Sequence, residues 1–113
     1  MDIIQKFQQG TVIITVRGNP LSEPDLTPLK RSVRSHANSG IKQIILDLGE
    51  VRSMNSAALG CLLHVRKIVQ TIGGTLLLTR ANENLREVLM RTKLIRHFRI
   101  CASTEEALGL LSA

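Results

Sequence analysis

Apolar residues recur along the chain with two different periods. Short, almost continuously apolar runs are typical of strands buried in a sheet, and longer segments with an apolar residue every three or four positions are typical of amphipathic helices. Segments of the two kinds alternate along most of the sequence. This alternation predicts an α/β domain with a mixed, largely parallel sheet behind an N-terminal hairpin, packed with about four helices. The strands are expected at 3–7, 11–17, 43–48, 75–79 and 98–100.

Turn and capping residues predict where the elements of the first two thirds of the chain begin and end. Gln8-Gln9-Gly10 separates the first two strands as a hairpin turn. Ser22-Glu-Pro-Asp25 has the composition of a helix start, and the helix that follows is expected to run to Gly40. A second helix, from about Ser56, is expected to end at Gly73-Gly74, because glycine is the usual residue beyond a helix C-terminus.

The last third of the chain predicts two more helices around a short edge strand. Asn82 or Asn84 is expected to cap the third helix. Ser103 and Glu106 have the spacing of a capping box, which predicts the start of the last helix. This last helix is expected to contain the apolar residues Ala107, Leu110 and Leu111.

The stretch from Ile44 to Leu63 joins a buried strand to a helix through a polar turn. The strand is apolar except for Asp47 and Gly49, and Ser53, Asn55 and Ser56 are all residue types that cap helices well. A serine is therefore predicted at a helix N-terminus, on a surface loop beside the end of a buried strand. From spacing alone, the simplest interpretation of Ser56 is that it caps or fills the first helical turn.

The same stretch resembles a known family. Asp47-Leu-Gly-Glu-Val51 followed by Met54-Asn-Ser-Ala-Ala-Leu-Gly60 resembles the D-L-S-x-V…(I/M)-D-S-S-G-L-G signature of STAS domains, in particular the bacterial anti-sigma-factor antagonists. Gly18, Gly73-Gly74 and the ending Phe98-Arg-Ile-Cys-Ala-Ser-Thr-Glu-Glu-Ala-Leu108 are similar to other parts of the family pattern. Because the pieces follow the family order over nearly the whole chain, residues 1–113 are identified as a single STAS-like domain.

The resemblance implies both a function and a site. It implies a small cytoplasmic switch protein that binds an anti-sigma factor when the motif serine is free and releases it when a serine kinase phosphorylates that residue. The motif serine here is Ser56. The expected partner is an anti-sigma factor with serine-kinase activity, and a phosphatase is a further candidate partner. The expected docking surface consists of Ser53, Met54, Asn55, Ser56, Ala57, Ala58 and Gly60.

The chain departs from the family pattern at three positions, and two of these departures, Asn55 and Ala58, favour an alternative function. Asn55 replaces the usual Asp, Ala57 replaces a frequent second Ser, and Ala58 replaces the usual Gly. Asn caps a helix about as well as Asp does, but one negative charge beside the phosphoacceptor is lost. The alternative is a STAS module that never cycles and serves as a scaffold, or as a cytoplasmic subunit of a transporter or signalling complex.

Length, composition and cysteine content predict the compartment. The chain of 113 residues has the length of one domain, with 43% apolar residues. No apolar run approaches the roughly 18 residues that cross a bilayer, and the first residues lack the pattern of a signal peptide. We therefore expect no membrane insertion and a cytoplasmic location, in which Cys61 and Cys101 are reduced thiols.

The net charge of +6 is concentrated in clusters. Such clusters suit an acidic partner, a nucleic acid or an anionic membrane surface, and they also occur as a solvated surface without a partner. Direct nucleic-acid binding is not expected, because single-strand platforms need stacking rings and the chain has only Phe7 and Phe98, with no Trp or Tyr. The clustered residues are Lys30, Arg31 and Arg34 in one group, and Arg80, Arg86, Arg91, Lys93, Arg96 and Arg99 in the other.

Catalytic and metal-binding chemistry is not predicted. His36, His64 and His97 are far apart in sequence and form no metal-spaced cluster. The chain has no phosphate-binding G-x-x-x-x-G-K-S/T loop and no G-x-S-x-G motif. Asp47 and Glu50 form no compelling pair of catalytic carboxylates, because they are equally well interpreted as a strand-end cap and a solvated charge. We therefore expect no enzymatic activity, no metal and no cofactor.

Overall fold

The strands of the sheet follow one another in chain order. The computed structural model describes residues 2–18 and 23–112, and within them the sheet has five strands in the order β1-β2-β3-β4-β5. β1 pairs antiparallel with β2, and the remaining neighbours pair in parallel. The predicted mixed sheet with an N-terminal hairpin is confirmed. The strands are β1 (Asp2–Gln8), β2 (Thr11–Arg17), β3 (Gln43–Glu50), β4 (Thr75–Thr79) and β5 (Arg99–Cys101).

The helices connect and cover the parallel strands. Within the two described ranges they are α1 (Glu23–Asn38), α2 (Ser56–Thr71), α3 (Glu83–Arg91), α4 (Thr104–Ser112) and a short 3-10 turn, Ile95–His97. The helix start predicted at Ser22 lies outside the described residues. β5 begins one residue later than predicted, because the Phe98 backbone N–H belongs to the preceding turn and donates to the Ile95 carbonyl.

Hydrophobic cores lie on both faces of the sheet. The larger core contains buried side chains of β2, β3 and β4 packed against α1, α2 and α3. The smaller core lies under α4, where Ala107 and Leu108 cover Ile13, Ile45 and Leu77. Leu110, one of the apolar residues expected in this helix, is 40% exposed. Ala107, Leu108 and Leu111 share the buried face of α4, and the helical period turns Leu110 away from it.

The predicted C-terminus of α2 is confirmed in its hydrogen bonds. The Gly73 N–H donates to the Gln70 carbonyl and the Gly74 N–H donates to the Val69 carbonyl, both at 2.9 Å. This is the Schellman arrangement, which needs a left-handed residue at its turn, and Gly73 has a φ of 70°. The helix therefore stops in time for the chain to enter β4.

Both cysteines lie inside the protein and neither is joined in a disulfide. Cys61 belongs to the larger core and Cys101 to the smaller one. Burial, with a smaller contribution from the Glu106 carboxylate, raises the pKa of the Cys101 thiol above its ordinary value. A thiol with a raised pKa stays protonated at neutral pH, and thiolates are the reactive form.

None of the helices in residues 2–18 and 23–112 has the length and apolar character needed to cross a membrane.

Candidate functional site

The predicted site loop lies at the carboxyl end of the central strand. β3 ends at Glu50, and α2 begins at Ser56. Between them, Val51 is buried in the larger core and donates its backbone N–H to the Leu48 carbonyl at 3.0 Å. The loop is thus anchored at its start and exposes the residues that follow. Open α/β sheets bind their ligands at this edge, outside the carboxyl ends of the strands.

Asn55, rather than Ser53 or Ser56, caps α2. Its backbone is extended, and its Oδ1 accepts a hydrogen bond of 2.9 Å from the Ala58 N–H. Ser56 is therefore the first residue of the helix and is exposed. Within the described part of the chain, the Ser56 hydroxyl has no hydrogen-bond partner. Ser56 is therefore not the N-cap of α2, because Asn55 has that role.

The other predicted site residues divide into exposed and buried positions. Ser53 and Gly60 are exposed, and a Cβ added at Gly60 would meet no heavy atom within 4 Å. Met54 and Ala57 are half-buried and pack against the larger core. Ala58 is 2% exposed and belongs to that core. The surface that remains, which we call the Ser56 face, consists of Ser53, Asn55, Ser56 and Gly60.

The side chains of Asn82 and Asn84, which follow β4, hold the site loop in place, and we call this pair the clamp. No local pattern in the sequence predicts these contacts. The Asn82 side-chain amide donates to the carbonyls of Val51 and Arg52, each at 3.2 Å, and the Asn84 amide donates to the Arg52 carbonyl at 3.3 Å. The Asn82 Oδ1 also accepts from the Leu85 N–H at 2.8 Å, so Asn82 caps α3 as well. The site loop is consequently held against the first turn of α3.

Ion pairs lie at the same edge of the sheet. Asp47 is 7% exposed, and its Oδ1 accepts from the Gly49 N–H at 2.9 Å, as expected for a strand-end cap. The same oxygen lies 3.5 Å from the Arg80 Nε. Arg17 and Glu50 form a solvent-exposed pair at 3.4 Å. Arg80, which the sequence pattern placed in a basic cluster, therefore has an acidic partner.

The N-terminus of α2 favours a negative group at Ser56. The first turn of α2, which begins at residue 56, contains no acidic side chain. The N-terminus of a helix carries a partial positive charge from its unpaired N–H groups. A phosphate on Ser56 would therefore meet the positive end of a helix of 16 residues and no carboxylate in its own turn.

His36 and His64 lie among neighbours outside the Ser56 face. In residues 2–18 and 23–112, no group of three or more His, Cys, Asp or Glu side chains could hold a metal ion. His64 is exposed on α2, where its Nε2 lies 3.0 Å from an Arg34 guanidinium nitrogen. His36 contacts Gln5 and stacks edge-on against Phe7. These two histidines thus have neighbours of their own and do not converge on the Ser56 face.

Comparison with protein families identifies the fold. The model of the STAS domain family matches residues 2–107, which includes β3, the site loop and α2. The chain belongs to the STAS domain family. The predicted resemblance is therefore confirmed.

Curated relatives of this STAS domain are named for one role. A candidate anti-sigma factor antagonist of Thermotoga neapolitana, named as a TM1081 homolog, is 37% identical over 71 residues. A Thermotoga maritima protein named as a candidate anti-sigma factor antagonist is 34% identical over 71 residues. Each match covers 63% of this chain and 63% of the relative, so the chain spans less than two thirds of the length of these relatives.

Solved structures share the fold of this STAS domain. The crystal structure of the Thermotoga maritima protein TM1081 superposes with a TM-score of 0.87 at 27% identity, covering 98% of this chain and 95% of that one. The anti-sigma factor antagonist SpoIIAA in its unphosphorylated form gives 0.78 at 16% identity, covering 99% of each chain. The phosphorylated form of SpoIIAA, a Bacillus cell fate determinant, gives 0.75 at 19% identity, covering 97% and 99%. The likeness to SpoIIAA shows the fold alone.

The capping role of Asn55 in this STAS domain predicts a moderate change in stability. We expect Asn55→Ala to lower the free energy of unfolding by about 1 kcal/mol, because the Ala58 N–H loses its acceptor. Asn55→Asp should leave stability unchanged or slightly higher, since Asp caps equally well and adds a negative charge at a helix N-terminus. Urea denaturation of the three proteins measures both effects. Equal stability of wild type and Asn55→Ala would contradict the assignment of the cap.

Proposed function

We propose that this STAS domain is an anti-sigma-factor antagonist of the cytoplasm whose binding to an anti-sigma factor is gated by phosphorylation of Ser56. It acts by binding rather than by catalysis. The partner is an anti-sigma factor that is also the serine kinase, and a phosphatase would return the protein to its binding form. The names of the curated relatives support the general role. The geometry of Ser56 supports its assignment as the gate.

One observation carries the proposal. Asn55 caps α2, so the neighbouring Ser56 hydroxyl has no structural task and lies exposed at the surface. A kinase must reach the hydroxyl and place it against a phosphate donor, which a buried or hydrogen-bonded serine would resist. Ser53 is also exposed but lies in the loop rather than at the helix terminus. The phosphate of a modified Ser56, with about −1.5 to −2 charges, would be stabilised by the helix N-terminus.

The fold should survive this modification while the surface changes. Because Ser56 is exposed, a phosphate there displaces no packed side chain. The clamp from Asn82 and Asn84 acts on the carbonyls of Val51 and Arg52, which lie before the modified residue. We infer that phosphorylation acts by placing charge on the Ser56 face and leaves the domain folded.

The departures from the family pattern are compatible with this function. Asn55 makes the capping bond that an aspartate would make, so the helix start is preserved. The Ala58 methyl group lies inside the larger core and adds nothing to the Ser56 face. The remaining difference is the missing charge of the aspartate, which affects recognition by the kinase rather than the structure. The alternative is the non-cycling scaffold, and a phosphorylation assay distinguishes it from the gated antagonist.

We expect Ser56 to be the phosphoacceptor. The kinase would be isolated from the host by pull-down on the immobilised domain, with and without ATP, and then incubated with ATP and purified variants. Wild type and Ser53→Ala should incorporate phosphate, whereas Ser56→Ala should incorporate none. Phosphopeptide mapping by mass spectrometry locates the modified residue.

Ser53→Ala is the matched control, because it removes an exposed hydroxyl of the same loop. Label found on Ser53, or undiminished in Ser56→Ala, would overturn the assignment of the gate. Stable capture of the anti-sigma factor without any phosphorylation would favour the non-cycling scaffold.

A further inference from the structure

One edge of the sheet is formed by β1, an exposed strand with two large apolar side chains at the surface. β1 is the first strand in the sheet order and, among the described residues, pairs on one side only, with β2. Ile4 is 49% exposed and Phe7 is 61% exposed. A strand with one unpaired edge presents backbone N–H and C=O groups that another strand can bind. The edge of β1 is therefore a surface on which a further strand could be added.

The hairpin turn determines which backbone groups of β1 point outward. Gln9 and Gly10 form a two-residue turn with φ values of 55° and 75°, and Gln8 is paired with Thr11. Residues that flank such a turn exchange hydrogen bonds with each other, and hydrogen-bonded pairs then alternate along an antiparallel ladder. The residues that bond to β2 are accordingly Gln8, Lys6, Ile4 and Asp2. The outward-facing backbone groups belong to Ile3, Gln5 and Phe7.

The side chains of β1 divide between the two faces of the sheet. On the α1 face, Gln5 accepts a hydrogen bond from the Ser32 hydroxyl at 2.9 Å, and Phe7 stacks on His36 with ring centroids 5.4 Å apart. On the α4 face, Ile4 and Lys6 line a groove of about 310 Å³ beside Glu105 of α4. Strand alternation places Asp2 on the same face as Ile4 and Lys6.

These positions make β1 complementary to a second copy of itself. In an antiparallel pairing about a two-fold axis at Ile4, Asp2 of each chain lies opposite Lys6 of the other, and Ile4 lies opposite Ile4. In the same register Ile3 lies opposite Gln5, so the outward-facing backbone groups of these two residues are paired in both strands. The two salt bridges and the Ile4 contact fall at non-hydrogen-bonded pairs, where side chains approach most closely. We propose that this STAS domain forms a two-fold symmetric dimer through β1 in this register.

Charge complementarity indicates that the strand added at the edge of β1 belongs to a second copy of the chain. A strand of arbitrary sequence would satisfy the backbone groups but would leave Asp2 and Lys6 without partners across the new edge. The copy supplies both partners at once, because a two-fold axis uses the same residues twice. The overlap is short, so the dimer is weak, with a dissociation constant on the order of 0.1 to 1 mM.

The first test measures self-association and its dependence on charge. Sedimentation equilibrium from about 10 µM to about 1 mM should show a monomer and dimer in exchange for wild type. Asp2→Lys and Lys6→Asp should each weaken association by on the order of tenfold, because each places like charges opposite one another twice. An equimolar mixture of these two variants should associate, since one chain then carries basic residues at both positions and the other carries acidic residues at both. The double variant Asp2→Lys with Lys6→Asp should recover the wild-type behaviour.

The second test determines the register by disulfide trapping. Ile4→Cys should form a covalent dimer under mild oxidation with copper phenanthroline, because the two thiols meet at the axis within the range for a disulfide. Gln5→Cys, which would lie at the axis if the two strands were shifted by two residues, and Gln8→Cys, which lies beyond the overlap, should remain monomeric. The native Cys61 and Cys101 are buried and should add little background.

The outcomes decide the proposal independently of the function of Ser56. No association of wild type up to about 1 mM would overturn the dimer. The register would be overturned if the charge changes at positions 2 and 6 left the association unchanged. It would also be overturned if Gln5→Cys, rather than Ile4→Cys, formed the disulfide-linked dimer. Thermal melts of every variant confirm that these exposed substitutions leave the monomer folded.

Discussion

We expect Ser56→Asp to weaken binding of the anti-sigma factor by about 2 to 5 kcal/mol, or about thirty to several thousand fold in affinity. The carboxylate would lie on the Ser56 face, and an interface that closes over it with no cation on the opposing surface would remove its water and leave the charge unpaired. In the isolated domain the same carboxylate lies in water at the N-terminus of α2, where a negative charge is neutral or slightly stabilising. The free energy of unfolding should therefore change by less than about 1 kcal/mol.

A paired measurement tests both halves of this expectation. Calorimetric titration with the partner gives the affinity, and thermal melting of the free domain gives the stability, for wild type, Ser56→Asp and Ser56→Asn. The Asn variant controls for shape without the charge. Equal affinity of wild type and Ser56→Asp would favour the non-cycling scaffold. A large fall in melting temperature would mean that Ser56 has a structural role after all.

The second large effect is expected in the core beneath the site. Leu62 lies on α2 and is 2% exposed, within the larger core. Leu62→Ala should lower the free energy of unfolding by about 2 to 5 kcal/mol, because it removes buried methyl groups and leaves a cavity. Such a loss is a large part of the roughly 5 to 15 kcal/mol that stabilises a typical domain. Urea denaturation measures the change.

Leu110→Ala is the matched control, with the same chemical change at a residue that is 40% exposed. It should cost less than about 1 kcal/mol, as substitutions at partly exposed positions usually do. Comparable losses in the two variants would contradict the exposed position of Leu110 on α4.

The order and type of the elements could be predicted because they depend on local patterns. Continuous apolar runs, helical spacing and glycine at helix ends are each visible within a few residues, and β1 to β4 and the C-terminus of α2 were found in this way. The orientation of α4 could not be predicted, because Ala107, Leu108, Leu110 and Leu111 allow more than one apolar face. Which face is buried depends on the strands beneath it, not on the helix itself.

The site was predictable in its position but only partly in its contacts. The sequence placed Ser56 at a helix N-terminus and allowed Ser53, Asn55 or Ser56 to be the cap, and the backbone geometry selects Asn55. The clamp from Asn82 and Asn84 joins residues about 30 positions apart, so no local pattern indicates it. Only the topology of the sheet could have predicted the clamp. Two asparagines follow a strand that neighbours β3, and parallel strands bring the loops at their carboxyl ends together.

The chain-order arrangement of the strands also bears on how the protein is made. Each strand after β1 pairs with the one that immediately precedes it in the sequence, so a chain leaving the ribosome can extend the sheet one strand at a time from the β1–β2 hairpin. The smaller core is different, because Ile13, Ile45 and Leu77 are covered by α4, which is synthesised after all of them. In the described part of the chain only α4 covers these three side chains, so this face of the growing sheet stays exposed until α4 emerges, and transiently exposed apolar surface of this kind promotes aggregation.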